Sequence, residues 1–302
     1  MEHDPTRSET TDKTPVDRDR VEGLINSYWI PGREPIKRAD KFLDDVSSLV
    51  VPKSPNPFSE VVMALRGNIA AVKDFLELPY SIAHKGLTWV DQKYQLNVST
   101  DEMLDAITHS LTCCLVAPHL ERMKQQAVLL LWSAYETFSR DMFMSALNLR
   151  PQLYSLLQKS QMKDRYSLNG ILSYDNLVQN DFSFQGKFGT LLADGKDFSS
   201  PQLLRGLLAT IFVFNNASYQ ERFSKALRAP ELWLLGQRRH LVAHRCAVVD
   251  QSYLEETGDA GQVIGRPLAI TPEELDAAIH AISLASGIAL TAAIEACYPD
   301  QH

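Results

Sequence analysis

The sequence predicts an all-α fold, an irregular antiparallel helical bundle with an N-terminal extension. Three observations carry that reading. Apolar residues recur at three- and four-residue steps over long stretches, the period of a helix with one buried face. Capping residues and first-turn prolines stand where those stretches begin. Nothing repeats at a fixed period, and no strand–helix alternation or glycine-rich phosphate loop interrupts the pattern. With 302 residues, 45% hydrophobic and 22% charged, the chain can build one large core, or a medium one with an extension.

Residues 1–20 hold almost no large apolar side chain and read as a mobile tail, since such a composition cannot offset chain entropy by burial. An extension with one or more helices is expected over 21–98 and the main helical domain over 99–302. Within the extension, Leu24, Ile25, Tyr28, Trp29 and Ile30, then Phe42, Leu43, Val46, Leu49, Val50 and Val51, form clusters broken by five prolines between 31 and 57. That part reads as an arm. A helix begins near Ser59, where Val61, Val62, Leu65, Ile69, Val72, Phe75 and Leu76 share a face. Ser99 and Glu102 make a capping box before Met103, Ile107 and Leu111. Pro118 interrupts, and a long helix runs from Leu120 to Leu149. Its stretch from Ala127 to Phe138 is apolar nearly all round, which predicts a central position.

Pro151 opens a shorter helix. Between Lys163 and Ser199 polar residues dilute the pattern, although Leu168, Ile171, Leu172, Leu177, Phe182, Phe184 and Phe188 are expected to be buried. Ser200-Pro201, an N-cap followed by a first-turn proline, starts a helix from Leu203 to Phe214. Pro230 starts another, which carries a cluster of arginine and histidine. Val248 to Ile270 reads as a loop or small hairpin. Thr271-Pro272-Glu273-Glu274 then opens a last helix through Ile294.

A net charge of -7 excludes a global basic field for collecting nucleic acid, so any such site must be a local patch. Cys113, Cys114, Cys246 and Cys297 form neither a CxxC pair nor a zinc-ligand pattern, which fits a reducing compartment. The N-terminus lacks the basic start and apolar run of a signal peptide, and no uninterrupted apolar segment reaches the ~20 residues of a bilayer span. A cytoplasmic location without a membrane partner, and no cofactor, are the expectations.

The chemistry sits in Arg238-Arg239-His240-Leu241-Val242-Ala243-His244-Arg245, three guanidiniums and two imidazoles in eight residues. Arginine is a permanent cation that forks onto phosphate oxygens, and histidine moves protons near neutral pH. Cutting RNA through its own 2′-hydroxyl needs a base, an acid and a cation for the extra phosphate charge. Those roles fall to His244 as acid or base, Arg239 for phosphate stabilisation and His240 for sharing protons, with Arg238 and Arg245 flanking as substrate-binding cations. Two other readings of the same residues stay open. One is a solvated charged face paired with carboxylates. The other is a zinc site on His240 and His244, which are four apart but lack the glutamate that zincins carry after the first histidine.

Arg239-x4-His244, with His240 directly after the arginine, resembles the signature of the HEPN superfamily, all-α domains that are often RNases. Ala134-Tyr135-Glu136-Thr137-Phe138-Ser139-Arg140-Asp141 is similar to the early HEPN helix, whose acidic residue often faces the motif. The stretch from Val248-Val249-Asp250 through Ile264-Gly265-Arg266-Pro267-Leu268-Ala269-Ile270-Thr271 resembles the tail of the RiboL-PSP type. The likeness covers roughly residues 101–297.

It implies a HEPN-like domain working as a homodimer with both motif helices on one cleft. RNA is cleaved there without metal, and 2′,3′-cyclic phosphate ends are left. It implies a toxin or anti-phage effector, with an antitoxin or defence-system partner protein. Arg239 and His244 become the motif pair, and Glu136 a positioning residue behind them. One departure stands out: relatives silenced by adenylylation carry a tyrosine two residues after the motif histidine, where this chain has Cys246. The competing expectation is a non-catalytic HEPN-type dimerisation or nucleotide-binding module in a defence complex. Tyr253, Glu255 and Glu256 are candidates for the rim of the cleft. Arg140 and Asp141 read as surface residues, and His84, His109, His119 and His280 as structural or exposed.

Overall fold

The computed structural model describes residues 57–168 and 173–298. The expected tail, the arm up to residue 56, and Ile171 and Leu172 lie outside the described residues. The described chain is all-α. Among the described residues extended pairing is confined to an isolated antiparallel bridge between Val248 and Pro267.

Helix α1 (Pro57–Tyr94) buries Phe58, Val61, Val62, Leu65, Ile69 and Val72 against α3 (Ala117–Leu149). These side chains belong to the same core as those of α3, so the boundary expected at residue 98 does not separate two cores. Beyond Val72 no residue of α1 is buried, and Pro79 lies inside the helix. This second half pairs instead with α2 (Thr100–Thr112), leaving Ile82, Trp89 and Tyr94 exposed. The capping box that starts α2 is formed: Glu102 N–H donates to Ser99 Oγ at 3.3 Å, and Ser99 N–H to Glu102 Oε2 at 2.9 Å.

Helix α3 is the axis of the molecule. Pro118 lies in its first turn rather than before it, because the missing N–H is not needed there. Ala127, Val128, Leu131, Trp132, Ala134, Tyr135 and Phe138 are all buried. A 3₁₀ turn (Pro151–Leu153) and α4 (Tyr154–Gln158) follow, then α5 (Tyr174–Gln179) and α6 (Phe188–Ala193). Next come α7 (Pro201–Ile211), α8 (Ala217–Ala226), α9 (Pro230–His244), α10 (Gln251–Thr257) and α11 (Pro272–Cys297). Phe182, expected to be buried, is exposed: it stands in a left-handed turn after α5, with φ of 55°.

Helix α6 approaches α3 closely at Gly189, where an added Cβ would come within 2.3 Å of the Met144 carbonyl oxygen. The central pair is not antiparallel. Gln125 near the start of α3 donates to Leu268 O just before α11, at 2.9 Å. At the other end Arg150 and Ala146 meet Ala296 and Cys297, so α3 and α11 run the same way.

Against the expectation of no long apolar segment, α11 is long and apolar enough to cross a membrane by length and composition. His280, Ser283, Ser286 and Gly287 punctuate it in sequence, but Ala277 to Ile294 contains no charge. In the fold, 83% of its most apolar window is buried inside the protein, which accounts for that composition. The N-cap predicted at its start is present and forms a capping box, with Glu274 N–H donating to Thr271 Oγ1 at 3.3 Å and Thr271 N–H to Glu274 Oε2 at 2.8 Å.

Candidate active site

Helix α9 carries the arginine–histidine cluster and starts at Pro230, with acidic Glu231 in its first turn and His244 in its last, as the helix dipole favours. Leu232, Leu235, Gly236, Arg238 and Leu241 are buried. Gly236 lets the helix lie against α3 and the start of α7: a Cβ there would meet Pro201 Cγ at 2.4 Å and Trp132 at 3.3 Å. With about 100° per residue, Trp233, Gln237, His240 and His244 form one stripe on the outer side. His240 and His244 are both exposed, their ring centroids 4.9 Å apart.

Arg239 lies about 100° round the cylinder from His240, half-buried on the side that faces α3. Its charge is felt by Glu136 of α3 and by Asp197 in the loop before α7. Burial raises the Glu136 carboxyl above its ordinary range; the Arg239 cation opposes that, Asp197 adds to it, and Arg140 again opposes. Asp197 is held low first by Ser199, whose N–H donates to Asp197 Oδ1 at 2.8 Å, with Arg165 and Arg239 contributing charge. The Arg239 side chain makes no hydrogen bond with any described residue, so the two carboxylates bear on its guanidinium through charge alone and its donors stay unspent. Glu136, expected behind the motif, lies near enough to Arg239 for its charge to be felt, without an ion pair between the two. Asp197 was not foreseen, because its link to Arg239 spans 42 positions; the nearby Ser199 marks only a local turn.

Arg238 goes the other way. It is buried, its Nε donating to Tyr253 Oη at 3.2 Å and its Nη2 to Asp259 Oδ2 at 3.0 Å and Glu274 Oε1 at 2.5 Å. Tyr253 Oη donates to Asp259 Oδ2 at 2.7 Å, and burial first of all lifts its phenol to about 12. Burial alone would lower the Arg238 guanidinium, but these acceptors outweigh it and hold the cation firmly charged. Buried, and held at Nε and Nη2 by three acceptors, Arg238 is turned away from any substrate: it is a strut joining α9, α10 and α11 and leaves the substrate-binding set. Tyr253 is likewise buried in this network rather than on a rim, whereas Glu255 and Glu256 are exposed.

Arg245 is exposed and pairs loosely with Asp250, 3.6 Å from Oδ2, which leaves it free for an anion. Cys246 and Ala247 follow with φ of 52° and 59°, left-handed for two residues without glycine. Ala247 N–H donates to Leu241 O at 3.1 Å, and Leu268 N–H to Ala247 O at 2.7 Å, so neighbouring chain fixes this exit. Arg140 and Asp141 pair with each other at 3.3 Å. His84, His109 and His119 are exposed. His280 is half-buried near Glu231, and burial pushes its imidazole down. Among the described residues no cluster of three metal-ligating side chains occurs, and a zinc site on His240 and His244 has no third ligand beside it there.

The exposed imidazole pair, an arginine with free donors and a carboxylate behind it can bind a phosphodiester and move protons around it. No family model matches the chain, and neither does any curated protein or solved structure.

Proposed function

We propose that the protein is a metal-independent endoribonuclease in which the RNA 2′-hydroxyl attacks the adjacent phosphorus. The observation that carries the reading is the contrast between two neighbouring arginines. Arg238 is held by Tyr253, Asp259 and Glu274, while Arg239, next to His240 in the chain, keeps the donors of its side chain unspent. One imidazole takes the 2′-hydroxyl proton as the O2′–P bond forms. A second protonated imidazole supplies the proton to the leaving 5′-oxygen as the P–O5′ bond breaks, giving a 2′,3′-cyclic phosphate and a 5′-hydroxyl. Arg239 neutralises the extra charge on the phosphorus oxygens, and Arg245 grips an adjoining phosphate.

Both histidines lie open to solvent. A second copy facing this stripe excludes water and supplies the opposing acid or base, in line with the resemblance to HEPN domains. The biological role that follows is a toxin or anti-phage effector acting on cellular RNA in the cytoplasm under a neutralising partner protein.

Cellular RNA incubated with the purified protein in EDTA, beside His244→Ala and Arg239→Ala, tests this. The expected result is scission with cyclic phosphate ends, reduced about 10²- to 10⁴-fold in each variant. Scission absent from wild type, or undiminished in both folded variants, overturns it. RNA binding without cutting would point to the non-catalytic nucleotide-binding module.

A further inference from the structure

About one turn before Glu136 on α3 and two turns before Arg239 on α9, the first turns of α7 and α9 flank a half-open cavity of about 240 Å³. Trp132 and Trp233 line it, with Gln202, Arg205 and Arg228 among its polar residues. Arg205 and Arg228 are exposed, and neither guanidinium makes a hydrogen bond or ion pair with any described residue. Among the described residues no carboxylate lines the cavity. Ala229, the N-cap of α9, makes no side-chain cap, and Glu231 in the first turn offsets the dipole of that helix end, so the positive charge of the wall is that of the two guanidiniums. In a chain of net charge -7, these two unspent arginines stand over that lining without a carboxylate.

Trp233 ties this cavity to the site. It precedes His240 by seven residues on one helix, hence the same face and about 10 Å along the axis, a gap that a short stretch of extended RNA backbone bridges. A half-exposed indole beside two guanidiniums offers a stacking surface next to phosphate-binding forks. At about 240 Å³ and open on one side, the cavity takes part of one nucleotide unit, the rest lying across its rim, and a duplex does not enter it.

We propose that this cavity binds a nucleotide flanking the cut, its phosphate on Arg205 and Arg228 and its base against Trp233. Its role as a subsite rests on the nuclease reading; its binding chemistry does not. The test titrates the full chain with adenosine 5′-monophosphate by tryptophan fluorescence, beside Arg205→Gln/Arg228→Gln and Trp233→Leu, all checked for folding by circular dichroism. RNA cleavage is then followed in the double variant. The proposal expects quenching in wild type, affinity at least about tenfold weaker in the double variant, quenching largely lost in Trp233→Leu, and a raised KM for RNA with kcat held. Equal affinity in wild type and double variant overturns the phosphate contacts. Inorganic phosphate binding as tightly as the nucleotide overturns the stacking. Were wild type to bind nucleotide through both arginines yet cut no RNA, the nuclease reading would fall and the pocket would stand. RNA cut with unchanged KM in the double variant leaves the nuclease and removes the subsite.

Discussion

Replacing Arg238 by methionine keeps most of the side-chain volume but strips the cation from Asp259 and Glu274, two carboxylates it meets at 3.0 and 2.5 Å. Removing one partner of a buried charge network leaves the others uncompensated, at a cost of roughly 3–5 kcal/mol. Urea unfolding at pH 7 reads this, and a loss under about 1 kcal/mol would mean the network is not a strut. The same network sets an acid limit. Burial alone would raise the Glu274 carboxyl, but bonds from Arg238 and the Thr271 N–H bring it below its ordinary 4.5. A carboxyl whose folded value is depressed stabilises the fold above its unfolded value and loses that contribution as pH falls through the folded one. Wild type therefore weakens below about pH 4.5, and Glu274→Gln, less stable at pH 7, shows a flatter acid limb. On the proposed nuclease function, Glu136 acts on activity instead. Glu136→Gln preserves shape but removes one of the two charges that bear on Arg239, so cleavage is expected to drop by about 10- to 100-fold while the unfolding midpoint moves little.

At the scale of elements, close approach decides which glycines matter. A methyl at Gly189 collides with backbone of α3, and one at Gly236 with the Pro201 ring and Trp132. Neither neighbour can step aside cheaply, so each alanine variant loses about 1–3 kcal/mol. Gly67 on α1 has nothing within 4 Å of an added Cβ, and alanine there gains about 0.5–1 kcal/mol through helix propensity alone. Thermal unfolding of the three variants separates these signs; a stabilised Gly189→Ala would contradict the packing of α6 on α3.

The same scale shows what local sequence can reveal. The starts of α2, α7 and α11 were legible because Ser99, Ser200 and Thr271 bond within their own first turn. Helices α8 and α10 were not. They are 10 and 7 residues long, and their caps, Asn216 and Asp250, stand before no sustained apolar period. At the site, His240 and His244 were legible as neighbours, since four residues on a helix fix their proximity. The division of labour between Arg238 and Arg239 was not, because Asp259 and Glu274 lie 21 and 36 residues downstream of Arg238.

For the whole molecule, the net charge of -7 sets two ionic effects against each other. Two copies that bring their α9 faces together carry like charge and repel. Salt shortens the reach of that repulsion, from a Debye length of about 30 Å at 0.01 M to about 8 Å at 0.15 M. Binding of single-stranded RNA moves the opposite way, since each phosphate contact releases counterions and adds about -0.7 to the slope of log affinity against log salt. The contacts proposed for Arg239, Arg245, Arg205 and Arg228 together make that slope appreciable. If the proposed dimeric nuclease holds, dilute protein is expected to show a maximum in specific activity at intermediate salt, with sedimentation reporting more dimer as salt rises. At high protein concentration association would be complete, so the rising limb disappears and only the RNA-binding loss remains. Activity that falls from the lowest salt at every enzyme concentration, with a monomer sedimenting throughout, would show that one copy carries the whole site.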